Sequence, residues 1–208
     1  MTDRYYLTSG GHVLIGGATG AGDRYGGKSS TAHWWVENLI SGGWVDSVFV
    51  VDPGSGPYQY REFRTLRGMA QSYQSGTRRF TWPRESGVTE LVEFVDALSG
   101  SSAIVFDEAW MYDGSEGMEN CIRNLGNQED PVRGIVVSQR PYDLPESIRN
   151  SCPLKCWVGP ITTEGEQYFR SGGMGHIPDA HDLDPFHWIV TDGGEVVDVN
   201  PPVPEDYA

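Results

Sequence analysis

The feature that most constrains this chain is a glycine-rich stretch over residues 15–30. Within it, Gly22, four further residues and then Gly27-Lys28-Ser29 have the spacing of a P-loop, the segment that wraps the phosphates of a bound nucleotide. An apolar run precedes the stretch, and residues 29–40 can form a helix. The sequence therefore predicts a strand, a phosphate-binding loop and a helix whose N-terminus faces the anion.

The residue types of this loop predict how a nucleotide and a metal ion are bound. Glycines let backbone N–H groups turn towards a phosphate chain, and Lys28 places a positive charge beside the β- and γ-phosphates. The Ser29 hydroxyl is a candidate ligand of Mg²⁺. We therefore expect ATP and Mg²⁺ as cofactors. The expected contacts with the nucleotide are Gly22, Gly26, Gly27, Lys28, Ser29 and Ser30.

The register of the loop has two alternatives. Residues 17–22 would themselves have the P-loop pattern if Lys-Ser came next, but residues 23–27 intervene. In the first register the cradle runs from Gly22 to Ser29. In the second, residues 17–22 contribute to the cradle and the residues after them bulge outward, where Arg24 and Tyr25 would meet the nucleotide base or a neighbouring subunit.

A second stretch supplies a pair of acidic side chains. Residues 102–106 include four successive apolar residues, which is typical of a buried strand, and Asp107 and Glu108 follow directly. Ligands of open α/β sheets bind at the carboxyl ends of the strands. This arrangement is a Walker B pattern, in which Asp107 holds the hydration shell of Mg²⁺ and Glu108 orients and deprotonates the attacking water.

A further apolar strand is predicted within residues 132–141, and it ends in Gln139 and Arg140. A side-chain amide at the end of a core strand beside the P-loop is well placed to sense the γ-phosphate.

The rest of the chain predicts one α/β domain over residues 1–208. Its core covers about residues 12–160, and a C-terminal β-hairpin and tail occupy residues 161–208, with residues 200–208 extended or disordered. Further strands are expected over residues 45–51, 78–82, 154–158 (at an edge of the sheet), 186–191 and 196–199, and further helices over residues 88–98 and 118–125.

One arginine-rich segment has two interpretations. Arg61, Arg64 and Arg67 are spaced by three, so a helix would place them on one face. That face is either solvated or a patch that contacts DNA or a neighbouring subunit.

The charge of the chain is strongly negative. There are 29 Asp and Glu against 15 Lys and Arg, a formal net charge of −14, and Lys28 and Lys155 are the only lysines. This composition favours a protein of a salt-loving host, because concentrated salt screens repulsion between carboxylates. The alternative is an ordinary acidic cytosolic protein. The charge argues against non-specific DNA binding by the surface as a whole, but not against a ring lined by a few arginines.

Cysteine usage and hydropathy bear on the compartment. Cys121, Cys152 and Cys156 lack the spacing of a disulfide framework or a zinc site, so free buried thiols are expected. No apolar run approaches the roughly 20 residues that cross a bilayer, and the first residues lack a signal-peptide pattern. We therefore expect a protein of the host cytoplasm without membrane insertion.

Taken together, four motifs resemble those of the FtsK–HerA branch of additional-strand P-loop ATPases, in particular the genome-packaging ATPases of membrane-containing viruses with double-jelly-roll capsids. The glycine-rich stretch is similar to that family's Walker A, Gly-x-Thr-Gly-x-Gly-Lys-Ser, except for the insertion after Gly22. The other matches are residues 48–54 (a second strand that ends in Asp-Pro), residues 104–108 (Walker B) and residues 135–150 (the Ser/Thr-Gln-Arg sensor strand and the segment beyond it).

The resemblance covers about residues 12–160 and implies a RecA-like fold. In that fold a mostly parallel central sheet is flanked by helices, and the sensor strand lies between the Walker A and Walker B strands. The resemblance implies catalytic roles for Lys28, Glu108 and Gln139, and for an arginine supplied by a neighbouring subunit. The candidates for that arginine are Arg149, which we take first, Arg140, Arg123 and the group from Arg61 to Arg67.

The resemblance also implies partners and a function. It predicts a homo-oligomeric ring, a pentamer or hexamer, around double-stranded DNA, and contacts with proteins of a viral capsid vertex or membrane. The predicted activity is an ATP-driven motor that moves DNA into a procapsid in the host cytoplasm, and the motor is then retained in the virion at a packaging vertex. The virus would be that of a salt-loving archaeon.

Three alternatives stay open. The chain is alternatively a cellular or conjugative DNA translocase of the HerA or FtsK type, or an assembly ATPase of a filamentous virus. A small-molecule phosphotransferase is less favoured, because Glu108 and Gln139 suit a positioned water and not a substrate hydroxyl.

Overall fold

The structure is a computed structural model, and it describes residue 7 and residues 11–17, 27–54, 56–112, 116–126, 131–160, 163, 166–167 and 183–207. Within these residues the strands are β1 (Val13–Gly17), β2 (Ser47–Val51), β3 (Arg61–Glu62), β4 (Arg79–Trp82), β5 (Ser102–Phe106), β6 (Val132–Val137), β7 (Leu154–Val158), β8 (Trp188–Asp192) and β9 (Glu195–Asn200). The helices are α1 (Lys28–Ser41), α2 (Leu66–Gln74), α3 (Val88–Asp96), α4 (Glu116–Asn124) and α5 (Glu146–Ser151).

These strands form one mixed sheet in the order β3-β4-β2-β5-β6-β1-β7-β8-β9. All neighbours from β3 to β7 are parallel, and β8 and β9 add an antiparallel hairpin next to β7. The predicted position of the sensor strand is confirmed, because β6 pairs with β1 on one side and with β5 on the other. The carboxyl ends of these three strands therefore lie side by side.

Helices cover both faces of the sheet, as predicted. One face packs against α1, where Trp34 and Trp35 are buried against Trp188 with ring centroids 5.2 and 6.0 Å from it. The other face packs against α2, α3, α4 and α5. The central strands β5 and β6 are buried over their whole length and are mostly apolar, because both faces of the sheet are covered. The paired tryptophans belong to this core. The three cysteines are free and buried, as expected.

The expected helical face of arginines is wrong. Arg61 lies in β3, which pairs with β4, and α2 begins only at Leu66, after Thr65 has accepted a hydrogen bond from the Gly68 N–H as its N-cap. Strand pairing and the cap separate the arginines into different elements. A spacing of three therefore does not place them on one helical face, and all three side chains are exposed.

Two predictions about the C-terminal part also need correction. Strand β7 is interior and not an edge, because the hairpin extends the sheet beyond it. The tail is ordered in part: a 3₁₀ turn over Glu205–Tyr207 packs on α1, and the Tyr207 ring lies edge-on to His33 with centroids 5.5 Å apart. In the described part of the chain, no helix has the length and apolarity needed to span a membrane.

Candidate active site

The P-loop side and the Walker B side of the predicted site meet at the carboxyl edge of the sheet. Ser29 stands in the first turn of α1, and its hydroxyl donates a hydrogen bond of 3.2 Å to Oδ1 of Asp107, the residue after β5. Oδ1 also accepts the Glu108 N–H at 2.9 Å. Two oxygen ligands of the kind that Mg²⁺ prefers are thus adjacent, although their residues are 78 positions apart.

Asp107 is almost completely buried, and its surroundings are unfavourable for its charge. Burial raises the pKa of Asp107 to about 6, the Ser29 hydrogen bond opposes that rise, and the nearby Asp52 carboxylate adds to it. A buried carboxylate of this kind is stabilised by a cation. The residues present therefore fit a divalent metal ion held between Ser29 and Asp107.

Lys28, the first residue of α1, supplies positive charge at the same edge. Burial lowers the pKa of Lys28, and the carboxylates of Glu108 and Asp107 act in the opposite direction. The N-cap of this helix is Gly27, which has no side chain to accept the N–H groups of the first turn, so these donors can face an anion. This geometry suits a phosphate chain.

At the start of the loop, Gly17 is so close to neighbouring atoms that only glycine fits. A Cβ on Gly17 would lie 2.6 Å from the Val158 carbonyl oxygen and 3.2 Å from Cγ of Lys28. The lack of a side chain at Gly17 thus lets the end of β1 pack closely against β7, and it leaves room for the aliphatic part of the Lys28 side chain. Gly22 and Gly26, with the rest of residues 18–26, lie outside the described residues, and so does the choice between the two loop registers.

Glu108 has an unusual backbone conformation. Its φ is +52°, in the left-handed region that non-glycine residues rarely adopt. In this conformation Oε2 accepts a 2.7 Å hydrogen bond from the Trp110 indole N–H, and Oε1 accepts one of 3.0 Å from the Gln139 amide. Strained backbone of this kind is common at active sites, where surrounding contacts hold it.

Gln139 reaches Glu108 because β6 ends beside β5. The Ser138 N–H still donates to the Ile15 carbonyl oxygen at 3.0 Å, as in the β6–β1 ladder. The next residue, Gln139, therefore lies directly at the carboxyl edge of the sheet. Next to it a cleft of about 450 Å³ is lined by Trp110, Gln139, Arg140 and Asp143. The predicted sensor amide and the predicted base are therefore in direct contact.

Two further residues, Asp52 and Tyr58, lie beside the site. The Asp52 carboxylate accepts the N–H groups of Gly54 and Gly56 at 3.0 and 2.9 Å and folds the segment after β2 into a turn. This segment carries Tyr58 into the interior. Burial, followed by the charges of Asp107 and Asp52, raises the Tyr58 pKa well above its usual value. The motif Asp52-Pro was noted from the resemblance, but no pattern indicated Tyr58.

The candidate arginines lie apart from this site, with one exception. Arg140 lines the cleft beside Gln139. Arg123 is exposed on α4, 4.0 Å from Glu119. Arg149 lies on α5 in a pocket with Pro153 and Lys155, at the amino end of β7 and thus at the opposite edge of the sheet. The structure does not bring Arg149 to the Ser29 and Asp107 of its own chain.

The order of the strands and the pairing of Ser29 with Asp107 define a RecA-like P-loop NTPase fold. Solved structures similar to this chain include the genome-packaging NTPase B204 from Sulfolobus turreted icosahedral virus 2 in complex with AMPPCP. The TM-score is 0.71 at 13% sequence identity, and the match covers 93% of this chain and 97% of that chain. B204, the DNA-packaging ATPase from Sulfolobus turreted icosahedral virus, matches with a TM-score of 0.67 at 14% identity, over 93% of this chain and 98% of that one.

The pCW3 conjugation coupling protein TcpA is also similar, with a TM-score of 0.59 at 13% identity, but the match covers 60% of TcpA and 93% of this chain. No protein-family model and no curated protein matches the sequence. The similarity confirms, at the level of the fold, the resemblance that the motifs predicted.

Proposed function

We propose that this protein is an ATP-hydrolysing motor that moves double-stranded DNA into a viral procapsid. The observation that carries the proposal is the contact between Glu108 and Gln139, beside the contact between Ser29 and Asp107. A hydrolase needs a base that accepts a proton from water and a group that senses the γ-phosphate. Glu108 and Gln139 are candidates for these two roles, and their side chains are hydrogen-bonded to each other. A nucleotide-binding scaffold has no need of either.

Each residue has a proposed role in the reaction. Lys28 binds the β- and γ-phosphates, and the N-terminus of α1 orients the phosphate chain. Ser29 and Asp107 hold Mg²⁺, which supplies neutralisation of phosphate charge when bound. Glu108 accepts the proton of the attacking water, and Gln139 positions that water and Glu108 together. A base of this kind contributes about 10²–10⁴-fold to a rate.

We further propose that the motor is a ring in which a neighbouring subunit supplies Arg149. Its position far from the Asp107 of its own chain is compatible with service in trans. Packaging is preferred over conjugation because the match covers 97% of a packaging NTPase and 60% of TcpA. The charge of −14 supports a salt-rich host cytoplasm as the site of action.

The direct test is steady-state ATP hydrolysis in concentrated KCl with and without linear duplex DNA. The wild-type protein is expected to hydrolyse ATP faster with DNA. Lys28→Ala is expected to lose nucleotide binding, and Glu108→Gln to keep binding but lose at least about 10²-fold in rate. Glu85→Gln, an exposed carboxylate on a loop, is the matched control and should match wild type. The motor proposal fails if DNA changes neither the rate nor the oligomeric state.

The role of Arg149 is tested by mixing two inactive proteins. Arg149→Ala subunits retain an intact nucleotide site, and Lys28→Ala subunits retain an intact arginine. If the arginine acts in trans, mixed rings regain part of the hydrolysis that each variant lacks alone. Mixing without recovery would show that Arg149 is not the trans arginine, and Arg140 and Arg123 would be tested in the same way.

A further inference from the structure

A second polar pocket lies at the amino end of β7, away from the nucleotide site. It encloses about 350 Å³, and its charged lining residues are Arg149 and Lys155, both basic. The turn glycines of the β8–β9 hairpin close one side, and the end of α5 closes the other. One of the only two lysines in this acidic chain therefore lies here, and the other lies in the P-loop.

Among the residues that the structure describes, the two cations have no acidic partner. Lys155 is 7% exposed, and Nε of Arg149 is buried without a hydrogen bond. Across the described residues, neither side chain forms an ion pair with a carboxylate. Burial lowers the pKa of Lys155, and the charge of Arg149 lowers it further, while Cys152 acts in the opposite direction. A buried cation without a counter-ion destabilises a fold by several kcal/mol.

The nearest acidic residue of the hairpin does not supply the missing charge. Lys155 is directly opposite Thr191 in the β7–β8 ladder, so these two side chains share one face of the sheet. Asp192 is the next residue, and successive strand residues point to opposite faces. The carboxylate of Asp192 is therefore directed away from Lys155.

We propose that the Arg149–Lys155 pocket binds a phosphate group, at a site separate from the P-loop. A planar guanidinium presents two parallel N–H donors to phosphate oxygens, and an ammonium adds a compact point charge. An anion placed between them would compensate both charges at once. Chloride is a weaker occupant because it lacks the several oxygens that a bidentate guanidinium matches. Phosphate binding in this pocket can be measured without ATP and without a ring, so its test can fail or succeed separately from the proposed role of Arg149 in trans.

Thermal unfolding in inorganic phosphate tests the site, with chloride at equal ionic strength as the reference. The Lys28→Ala protein is used throughout, because it removes phosphate binding at the P-loop. In this background phosphate at a hundredfold excess over its Kd is expected to raise the Tm by about 5 °C. Lys155→Met and Arg149→Gln are each expected to abolish that shift, whereas Arg123→Gln, an exposed arginine on α4, should retain it.

The stability of Lys155→Met in chloride provides a second, independent reading. Without phosphate, Lys155 is an uncompensated cation. Lys155→Met should therefore raise the Tm in chloride, and the addition of phosphate should not change the Tm of this variant. A phosphate shift that persists in both pocket variants overturns the proposal. So does a shift of equal size in chloride and phosphate for the Lys28→Ala protein, which would indicate general screening.

Fluorescence anisotropy with labelled duplex DNA distinguishes the sources of the phosphate. If the DNA backbone is the natural occupant, both pocket variants weaken DNA binding uniformly across sequences and reduce the salt slope by about 1. If DNA affinity is unchanged while the phosphate shift is lost, the occupant is a free phosphate or the phosphate of a nucleotide. Both results keep the site and assign its ligand.

Discussion

The indole N–H of Trp110 donates a hydrogen bond of 2.7 Å to Oε2 of Glu108. Trp110 lies in the 3₁₀ turn that follows β5 and is 52% exposed, so burial does not explain its position. The bond holds the carboxylate from one side while Gln139 holds it from the other. Trp110 is therefore a positioning residue for the proposed base.

Replacement of Trp110 by phenylalanine should reduce hydrolysis without weakening nucleotide binding. Phenylalanine keeps an aromatic ring but cannot donate to Glu108, so the carboxylate would sample more orientations. We expect kcat to fall about 10-fold with KM for ATP nearly unchanged, since misplacement of a base affects the transition state more than the bound substrate. Steady-state kinetics over a range of ATP concentrations measures both constants.

The control for this prediction is Trp44→Phe, which changes another exposed tryptophan, just after α1. It should leave both constants unchanged. A rise in KM equal to the fall in kcat for Trp110→Phe would instead mean that the indole contacts the nucleotide. Unchanged kinetics would mean that Gln139 alone is sufficient to orient Glu108.

Replacement of Asp107 by asparagine should stabilise the protein when Mg²⁺ and nucleotide are absent. The folded-state pKa of about 6 exceeds the ordinary value of 3.8, so the ionised carboxylate destabilises the fold at pH 7. A shift of this size corresponds to about 3 kcal/mol, and the cost disappears as the pH falls from 7 to below 4. Asparagine still accepts the Ser29 hydroxyl. We therefore expect a higher Tm for Asp107→Asn at pH 7.

The same variant should respond differently to ligand. Mg²⁺ with ATP is expected to raise the Tm of wild type, because the bound cation compensates the buried charge, and to raise that of Asp107→Asn far less. Differential scanning fluorimetry with EDTA and with Mg²⁺-ATP measures both effects. If Asp107→Asn is less stable than wild type in EDTA, the ionised Asp107 carboxylate does not destabilise the fold.

The parts of the site that the sequence predicted are those fixed by strand topology. Lys28 and Ser29 open α1, Asp107 directly follows β5, and Gln139 is two residues beyond β6. Parallel strands bring such positions to one edge of the sheet. Their proximity follows from the order of β5, β6 and β1, which the resemblance supplied. Local patterns were sufficient here because each residue is only a few positions from a regular element.

The parts that the sequence missed depend on irregular backbone. The contact between Trp110 and Glu108 exists because Glu108 has a positive φ, and no propensity rule predicts that for glutamate. Tyr58 is carried into the interior by a turn that the Asp52 side chain holds. The arginine face was wrong because a spacing of three also occurs in a strand followed by a capped helix.

Removal of the Tyr207 side chain should destabilise the protein, although the tail was expected to be extended or disordered. Its ring packs edge-on against His33, and its carbonyl oxygen lies 3.4 Å from Nδ1 of that residue. Aromatic pairs of this geometry contribute about 0.5–1.5 kcal/mol beyond area burial. We expect Tyr207→Ala to lose about 1–2 kcal/mol in urea unfolding. Glu205→Ala, in the same 3₁₀ turn but exposed, should unfold like wild type.

Acid should destabilise the fold through His12, at the amino edge of the sheet. Burial, followed by the charge of Arg133, lowers the pKa of His12 from 6.5 to about 4. Nδ1 of His12 accepts the Gly134 N–H at 2.8 Å, so the ring is neutral with its proton on Nε2. Arg133 cannot move away, because its guanidinium donates to the carbonyl oxygens of Gly11 and Leu7 at 2.7 and 2.6 Å.

The sign of the effect follows from these two states of the ring. The unfolded chain binds a proton near pH 6.5 and the folded protein only near pH 4, so stability is present above pH 6.5 and is lost as the pH falls towards 4. Between pH 7 and pH 5 the loss should be about 2 kcal/mol. His12→Asn keeps an acceptor for Gly134 but does not titrate. Urea unfolding at both pH values should therefore show a smaller loss in His12→Asn than in wild type and in His187→Asn. Equal losses in all three proteins would mean that His12 is protonated in the folded state at pH 5.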